Sequence, residues 1–374
     1  MAAAQMKYLR TVRLLLLLTI LPALVVWGVN LWNYVADLTD PVLMPVNKSY
    51  EGYSTVPQKT PGLKLEQFTF KGKDGGDVLA AIAVKEGEES SRQLNIIGDL
   101  TVNKAGQLGV IDYALICVDW DHGIRSAIPL AETLTAAGIT CVLWEPRGAD
   151  NRRRYCTHGL QESADIPMLI NELIRRSGKS APVIVAVGQG YGAGLMLHAA
   201  VSEPRIQGLI AIDSYASLRE SISRTMPDTL LTQATLWLMD LRLNSSVGFE
   251  CFDVAPVESA AKLDRNLPVL IINLVQNNPI CTLDDAVTIY RQLPCDRRDL
   301  WILRDQHDAP QATTRAISHT KGKRAVNVEA RLLQDEDSTA IAIVHWLNDT
   351  LVTALDTPHV HVPNRPLLTS DSQL

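Results

Sequence analysis

The chain has 374 residues, 47% of them hydrophobic, and a formal net charge of −6. That length and apolar content suffice for one large core with small additions. The negative charge, the 5% aromatic content and the lack of any basic stripe argue against nucleic acid as a partner, and Lys321-Gly322-Lys323-Arg324 reads as a solvated loop.

The first feature along the chain is Leu14–Trp32, 19 residues without a charge. As a helix it is long enough to cross a hydrocarbon core of ~30 Å. Lys7, Arg10 and Arg13 precede it, and Asp37 and Asp40 follow. The positive-inside rule then predicts a cytoplasmic N-terminus over 1–13, a single-pass signal-anchor over 14–35, and a C-terminal domain outside the cytoplasm, in a periplasmic, extracellular or lumenal space. Trp27, Trp32 and Tyr34 would lie at the far interface. A cleaved signal peptide is the competing reading, with a permissive site at Val26-Trp27-Gly28; the apolar run is longer than a usual signal core and favours the anchor.

Residues 36–62 carry Pro41, Pro45, Pro57 and Pro61 and read as a linker. Leu65–Lys71 and Asp77–Lys85 flank a glycine-rich turn and predict a β-hairpin. From Tyr113 onward, apolar strand-like runs alternate with helical spacing. Strands are expected at Tyr113–Asp119, Ile139–Glu145, Val183–Val187, Leu209–Ile212, Val269–Leu274 and Leu300–Leu303. Helices are expected at Ile128–Ala137, Ser163–Arg176, Tyr191–Val201, Leu283–Gln292 and Ser338–Leu351. Such alternation means a mostly parallel sheet covered on both faces, with its site beyond the carboxyl ends of the strands. Two segments interrupt the rhythm: 217–263 reads as a helical lid, and the polar stretch 308–337 as an exposed insertion. The domain is expected over 63–355, with a C-terminal tail over 356–374. Among the six cysteines, Cys117 and Cys141 fall in strands and read as core; Cys156, Cys251, Cys281 and Cys295 fall near loops, where pairing stays open. Three sequons begin at Asn47, Asn244 and Asn348.

The stretch VIVAVGQGYGAG (183–194) admits two motifs. Gly188, Gly190 and Ala193 fit the dinucleotide fingerprint, and Asp213 sits where a ribose-binding acid belongs. Gly188-Gln189-Gly190-Tyr191-Gly192 fits the G-x-S-x-G nucleophile elbow at both outer glycines, with Gly190 at the serine position. Against the fingerprint, at least two strand–helix units precede this turn, whereas the fingerprint opens its domain.

Further stretches decide for the elbow. Leu130–Gly148 (LAETLTAAGITCVLWEPRG) ends in Arg-Gly, Gly208–Glu220 (GLIAIDSYASLRE) follows the elbow, and Asp253–Leu263 is followed by Pro268–Leu274. On these residues the chain from about 65 to 307 resembles the α/β-hydrolase superfamily, especially membrane-anchored serine hydrolases of the serine-aminopeptidase-like group. The resemblance implies an α/β fold: a doubly wound hydrolase sheet with a small helical lid, here preceded by the transmembrane helix. It places the nucleophile at Gly190, the acid at Asn278 and the base at His307, a triad in which only the His retains its chemistry. Tyr191 would offer an oxyanion N–H. Trp120, in Asp119-Trp120-Asp121-His122-Gly123, stands where the family keeps a small residue, so Trp120, Gly190 and Tyr191 are expected to line any ligand pocket. A carboxylate or metal site at Asp119, Asp121 and His122 and a relocated nucleophile at Ser126, Ser214 or Ser217 are the enzymatic alternatives; His198 reads as packed. The overall expectation is a hydrolase-like pseudoenzyme that needs no cofactor or metal, with a small apolar or acyl ligand or a membrane-protein partner. An active esterase or peptidase with an unconventional nucleophile, and a structural member of a membrane complex, are the rival readings.

Overall fold

Near-continuous apolar strands must be covered on both faces, and their alternation decides which residue faces which layer. In the computed structural model, residues 20, 22, 25–37, 60, 62–86, 111–117, 124–146, 156–227, 229–247, 253–275, 279–304, 314–321, 324–333 and 336–352 are described. The strands are β1 (Leu63–Lys71), β2 (Asp77–Lys85), β3 (Tyr113–Cys117), β4 (Thr140–Trp144), β5 (Ile184–Gln189), β6 (Ile206–Ile212), β7 (Val269–Val275), β8 (Arg298–Arg304), β9 (Thr314–Lys321) and β10 (Arg324–Leu333). They form one sheet in the order β1-β2-β4-β3-β5-β6-β7-β8-β10-β9. β2 runs antiparallel to β1 and β4, and every neighbouring pair from β4 to β8 is parallel.

On β3, Leu115 and Cys117 join one core, whereas Ala114 and Ile116 join the other; on β5, Ile184 and Ala186 alternate with Val185 and Val187 in the same way. The helices are α1 (25–37), α2 (Ile128–Ala136), α3 (Ile166–Ser177), α4 (Tyr191–Ser202), α5 (Leu218–Arg224), α6 (Leu230–Val247), α7 (Pro256–Ala260), α8 (Leu283–Gln292) and α9 (Glu336–Leu347). α2 and α9 cover one face of the sheet; α3, α4 and α8 cover the other. The mixed, doubly wound architecture is α/β-hydrolase-like. α3 shows why these segments are helical: Ile166, Leu169, Ile170 and Leu173 make one buried stripe, and Gly178 ends the helix in the left-handed region at φ 70. Cys117 and Cys141 are fully buried strand residues.

Within the expected insertion 308–337, two strands are described. β9 and β10 form an antiparallel hairpin, and β10 pairs in parallel with β8, lengthening the sheet. The alternation Val326-Asn327-Val328-Glu329-Ala330-Arg331 has the period of a strand, and its polar half reads as a loop when composition alone is weighed.

The segment 217–263 contains α5, α6 and α7. Ser217 caps α5, accepting the Glu220 N–H at 3.4 Å. Leu236, Met239 and Leu243 of α6 pack with Tyr215, Leu218 and Val254, and Val35 of α1 enters the same apolar cluster. Among the described residues no helix is long and apolar enough to cross a membrane; residues 14–19, 21, 23 and 24 of the expected span lie outside the described residues.

A buried carboxylate fastens this segment to α8. Asp285, in the first turn of α8, accepts the Thr282 N–H at 2.8 Å, the Ala216 N–H at 3.1 Å and the Arg224 guanidinium at 2.6 Å. Thr282 and Asp285 form a reciprocal capping box. Asp285→Ala would leave the Ala216 amide without its acceptor and the Arg224 guanidinium without its carboxylate partner. We expect a loss of about 3 kcal/mol in urea unfolding, and Asp285→Asn to recover part of it.

Candidate functional site

β5 ends at Gln189 and α4 begins at Tyr191, so one residue reverses the chain. That residue, Gly190, has φ 55 and ψ −117, a region open to glycine and strained for any other residue. Its N–H donates to the Ile212 carbonyl of β6 at 2.8 Å, and its own carbonyl accepts the Ala193 N–H at 3.2 Å as α4 starts. The turn is tight behind as well as at its tip. A Cβ on Gly188 would stand 2.3 Å from the Gly192 carbonyl oxygen and 2.5 Å from Ala193 Cα. The first turn of α4 therefore lies directly on the last residues of β5, which is why the outer glycine of the motif is needed.

The strand order reverses beside this turn. β4 and β5 lie on opposite sides of β3, with α2 on one face and α3 on the other. Such a switch point opens a crevice beyond the carboxyl ends of the strands. Cys117 at the end of β3 is in register with Gly188, and Val275 at the end of β7 with Arg304 at the end of β8. Trp120, Asn278 and His307 follow Cys117, Val275 and Arg304 by three positions each in the sequence, and all three lie outside the described residues, as do Asp119, Asp121 and His122. Of the expected site, the described residues bring together Gly190 and Tyr191.

Tyr191 turns its ring inward and is 2% exposed. The ring meets His158 edge-on, with centroids 5.9 Å apart. Burial, reinforced by the neighbouring Cys156 and Glu162, raises its phenol pKa well above the ordinary tyrosine range. What this residue presents at the elbow is backbone. Behind it lies a polar assembly that sequence reasoning missed. The fully buried Glu162 accepts the Thr157 N–H at 2.6 Å, the Gly159 N–H at 2.9 Å and the Thr157 hydroxyl. Burial raises the Glu162 pKa, and these hydrogen bonds oppose the rise. Gly159, at φ 99, brings the loop against α4, where an added Cβ would meet Leu195 Cα at 2.9 Å. The legible signal was Thr157 and Glu162 bracketing a glycine just before an apolar helix, a local capping pattern.

Asp213, which a dinucleotide reading would aim at a ribose, sits at φ 49 at the end of β6. Its Oδ1 accepts the Leu274 N–H at 2.7 Å and the Asn273 side-chain amide at 3.1 Å, tying β6 to β7. The fingerprint also belongs on the first strand–helix turn of its domain, and here the turn follows the fifth strand. Two of the serines considered as substitutes are occupied structurally. Ser214 is buried and donates to the Tyr215 carbonyl at 3.1 Å, and Ser217 caps α5. Among the described residues no group of three His, Cys, Asp or Glu side chains could hold a metal ion. His198 on α4 shares a 2.6 Å hydrogen bond between Nδ1 and Ser259 Oγ, and burial, with Lys262 nearby, pushes its pKa down to about 4.

No family model matches the chain, and no curated protein sequence does. Solved structures align with it at low identity and with TM-scores below 0.5. An esterase of Pyrococcus furiosus has 15% identity and a TM-score of 0.47, over 66% of this chain and 87% of its own. The 2,6-dihydroxy-pseudo-oxynicotine hydrolase has 13% identity and a TM-score of 0.48, over 78% of this chain and 69% of its own. The esterase domain of a Rhodothermus marinus protein has 13% identity and a TM-score of 0.40, over 64% and 87%.

Two predictions follow the geometry of this region. Gly188→Ala should destabilise by about 3 kcal/mol or more, because backbone must move. Gly190→Ala should cost about 1–3 kcal/mol through backbone strain alone; denaturant midpoints of the two variants give the order. His198 adds an acid limb to stability. The unfolded imidazole takes its proton near pH 6.5, the folded one only near pH 4. Its contribution is therefore complete above pH 6.5 and is lost as pH falls from 6.5 to 4, by roughly 3 kcal/mol. His198→Gln should flatten that limb in unfolding titrations at pH 7, 5.5 and 4.

Proposed function

We propose that this protein is an α/β-hydrolase-fold pseudoenzyme, anchored in a membrane by residues 14–35, that binds a ligand or partner instead of hydrolysing one. A single observation carries the loss of chemistry: the apex of the elbow, at φ 55 and ψ −117, is occupied by glycine. Serine-hydrolase catalysis needs an oxygen nucleophile at that apex, a base to deprotonate it and an acid to orient the base. Gly190 has no side-chain oxygen. Asn278, at the position the resemblance gives the acid, has no charge with which to stabilise an imidazolium. Loss of the nucleophile alone removes about 10⁶ of kcat in a working serine protease. The hydrogen bond of Ser214 and the capping role of Ser217 weigh against either hydroxyl acting in its place.

The crevice beyond β3 and β5 is where such a fold holds a ligand, and the apolar composition of the lid segment favours a small apolar or acyl molecule. The uncharged run Leu14–Trp32 with its flanking charges supports the anchor.

The full-length protein in detergent, treated with a fluorophosphonate probe, should remain unlabelled. Stoichiometric labelling would overturn the reading. The double variant Gly190→Ser with Asn278→Asp supplies the two missing groups, and should acquire probe labelling if His307 retains its place as base.

A further inference from the structure

The lid helix exposes apolar side chains that the core does not use. α6 buries Leu236, Met239 and Leu243, while Trp237 is 62% exposed and Leu241, one turn further on, 49% exposed. The opposite side of the same helix is bound to α1: Val35 and Leu31 sit in the α6 cluster, and the Arg242 guanidinium lies 5.6 Å from the centre of the Trp32 ring. α1 itself exposes Val25, Val26, Trp27 and Val29, each by more than half, and in sequence it continues the uncharged run that begins at Leu14.

We infer that Trp237 and Leu241 insert into a phospholipid bilayer at the level of the headgroups, so that α6 lies on the membrane beside the anchor. The inference rests on the membrane reading above and adds a second contact to it. Three features select lipid as the occupant. The exposed face of α6 belongs to the helix that grips the last turns of α1, so it stands where the apolar run leaves the bilayer. Its exposed pair is a Trp and an aliphatic residue four positions apart, the composition of a helix face resting at a membrane interface. The adjoining aromatic residues Trp27, Trp32 and Tyr34 are the types that gather at the same depth.

The orientation has a consequence for the site. α5 and α6 follow β6 at the carboxyl edge of the sheet, and Gly190 lies at that edge too. A bilayer against α6 would therefore lie on the carboxyl side of the sheet, the side on which Gly190 sits.

The test places the photocrosslinker p-benzoylphenylalanine at position 237 of the full-length protein in membranes, with position 201 as reference. Val201 is exposed near the end of α4, which runs away from the elbow toward the opposite edge of the sheet. Irradiation should give a lipid adduct at 237, identified by mass, and none at 201. A band of doubled mass at 237 would mean that a second copy covers the face, and a crosslink to another protein would name a protein partner; either overturns the inference. Alkaline carbonate extraction reads the anchor separately. Protein retained in the membrane without a lipid adduct at 237 sinks the inference and leaves the anchor standing; protein released into the wash sinks both.

Discussion

The close crossing of α4 over the end of β5 is the constraint on which the rest of the site depends. The helix begins one residue after the strand ends, and Gly188 lies against Gly192 and Ala193 with no room for a Cβ. Nothing in side-chain chemistry demands this. It is a steric requirement of backbone on backbone, and only glycine meets it at position 188. Once it is met, Gly190 projects at the carboxyl edge beside the switch in strand order, and α4 runs back along the sheet with its apolar residues in the core.

Three buried or half-buried carboxylates hold the loops around that edge. Glu162 organises the loop behind the elbow, Asp213 ties β6 to β7, and Asp285 fastens Ala216 and Arg224 to α8. Each accepts backbone N–H groups that would otherwise be buried without acceptors. Their arrangement explains how a region rich in carboxylates and hydroxyls can be structural throughout. Glu162 receives donors from its own loop, whereas Asp213 and Asp285 accept donors from elements distant in sequence and tie those elements together.

The sequence made the sheet legible because strand and helix periods differ. Tyr113–Asp119 reads as a strand, of which Tyr113–Cys117 is described and forms β3, and Leu283–Gln292 reads as a helix, which appears with acids in its first turn. The elbow was legible through its glycines, whose need is steric and local. The hairpin of β9 and β10 was not, because its alternating polar residues resemble loop composition. The strut made by Glu162 was hidden for a different reason. A buried carboxylate is recognised by its partners, and apart from the Thr157 hydroxyl those are backbone groups, so the spacing of Thr157 and Glu162 is the one trace the sequence carries. Of the expected site, Gly190 and Tyr191 meet at the elbow, and the ring of Tyr191 turns into the core because the first turn of α4 is buried against the 156–162 loop. Trp120, Asn278 and His307 lie outside the described residues.

Position 190 has one more consequence. In an enzyme that carries serine at this bend, the backbone is held uphill by the need to display a hydroxyl, and stability is traded for turnover. With only hydrogen at the apex, the same bend is relaxed. A chain released from that burden has no thermodynamic reason to lose the shape, because the crowding at Gly188 and the register with β6 maintain it regardless of use. The bend at position 190 is thus held by the packing of backbone on backbone and needs no side chain at its apex to persist.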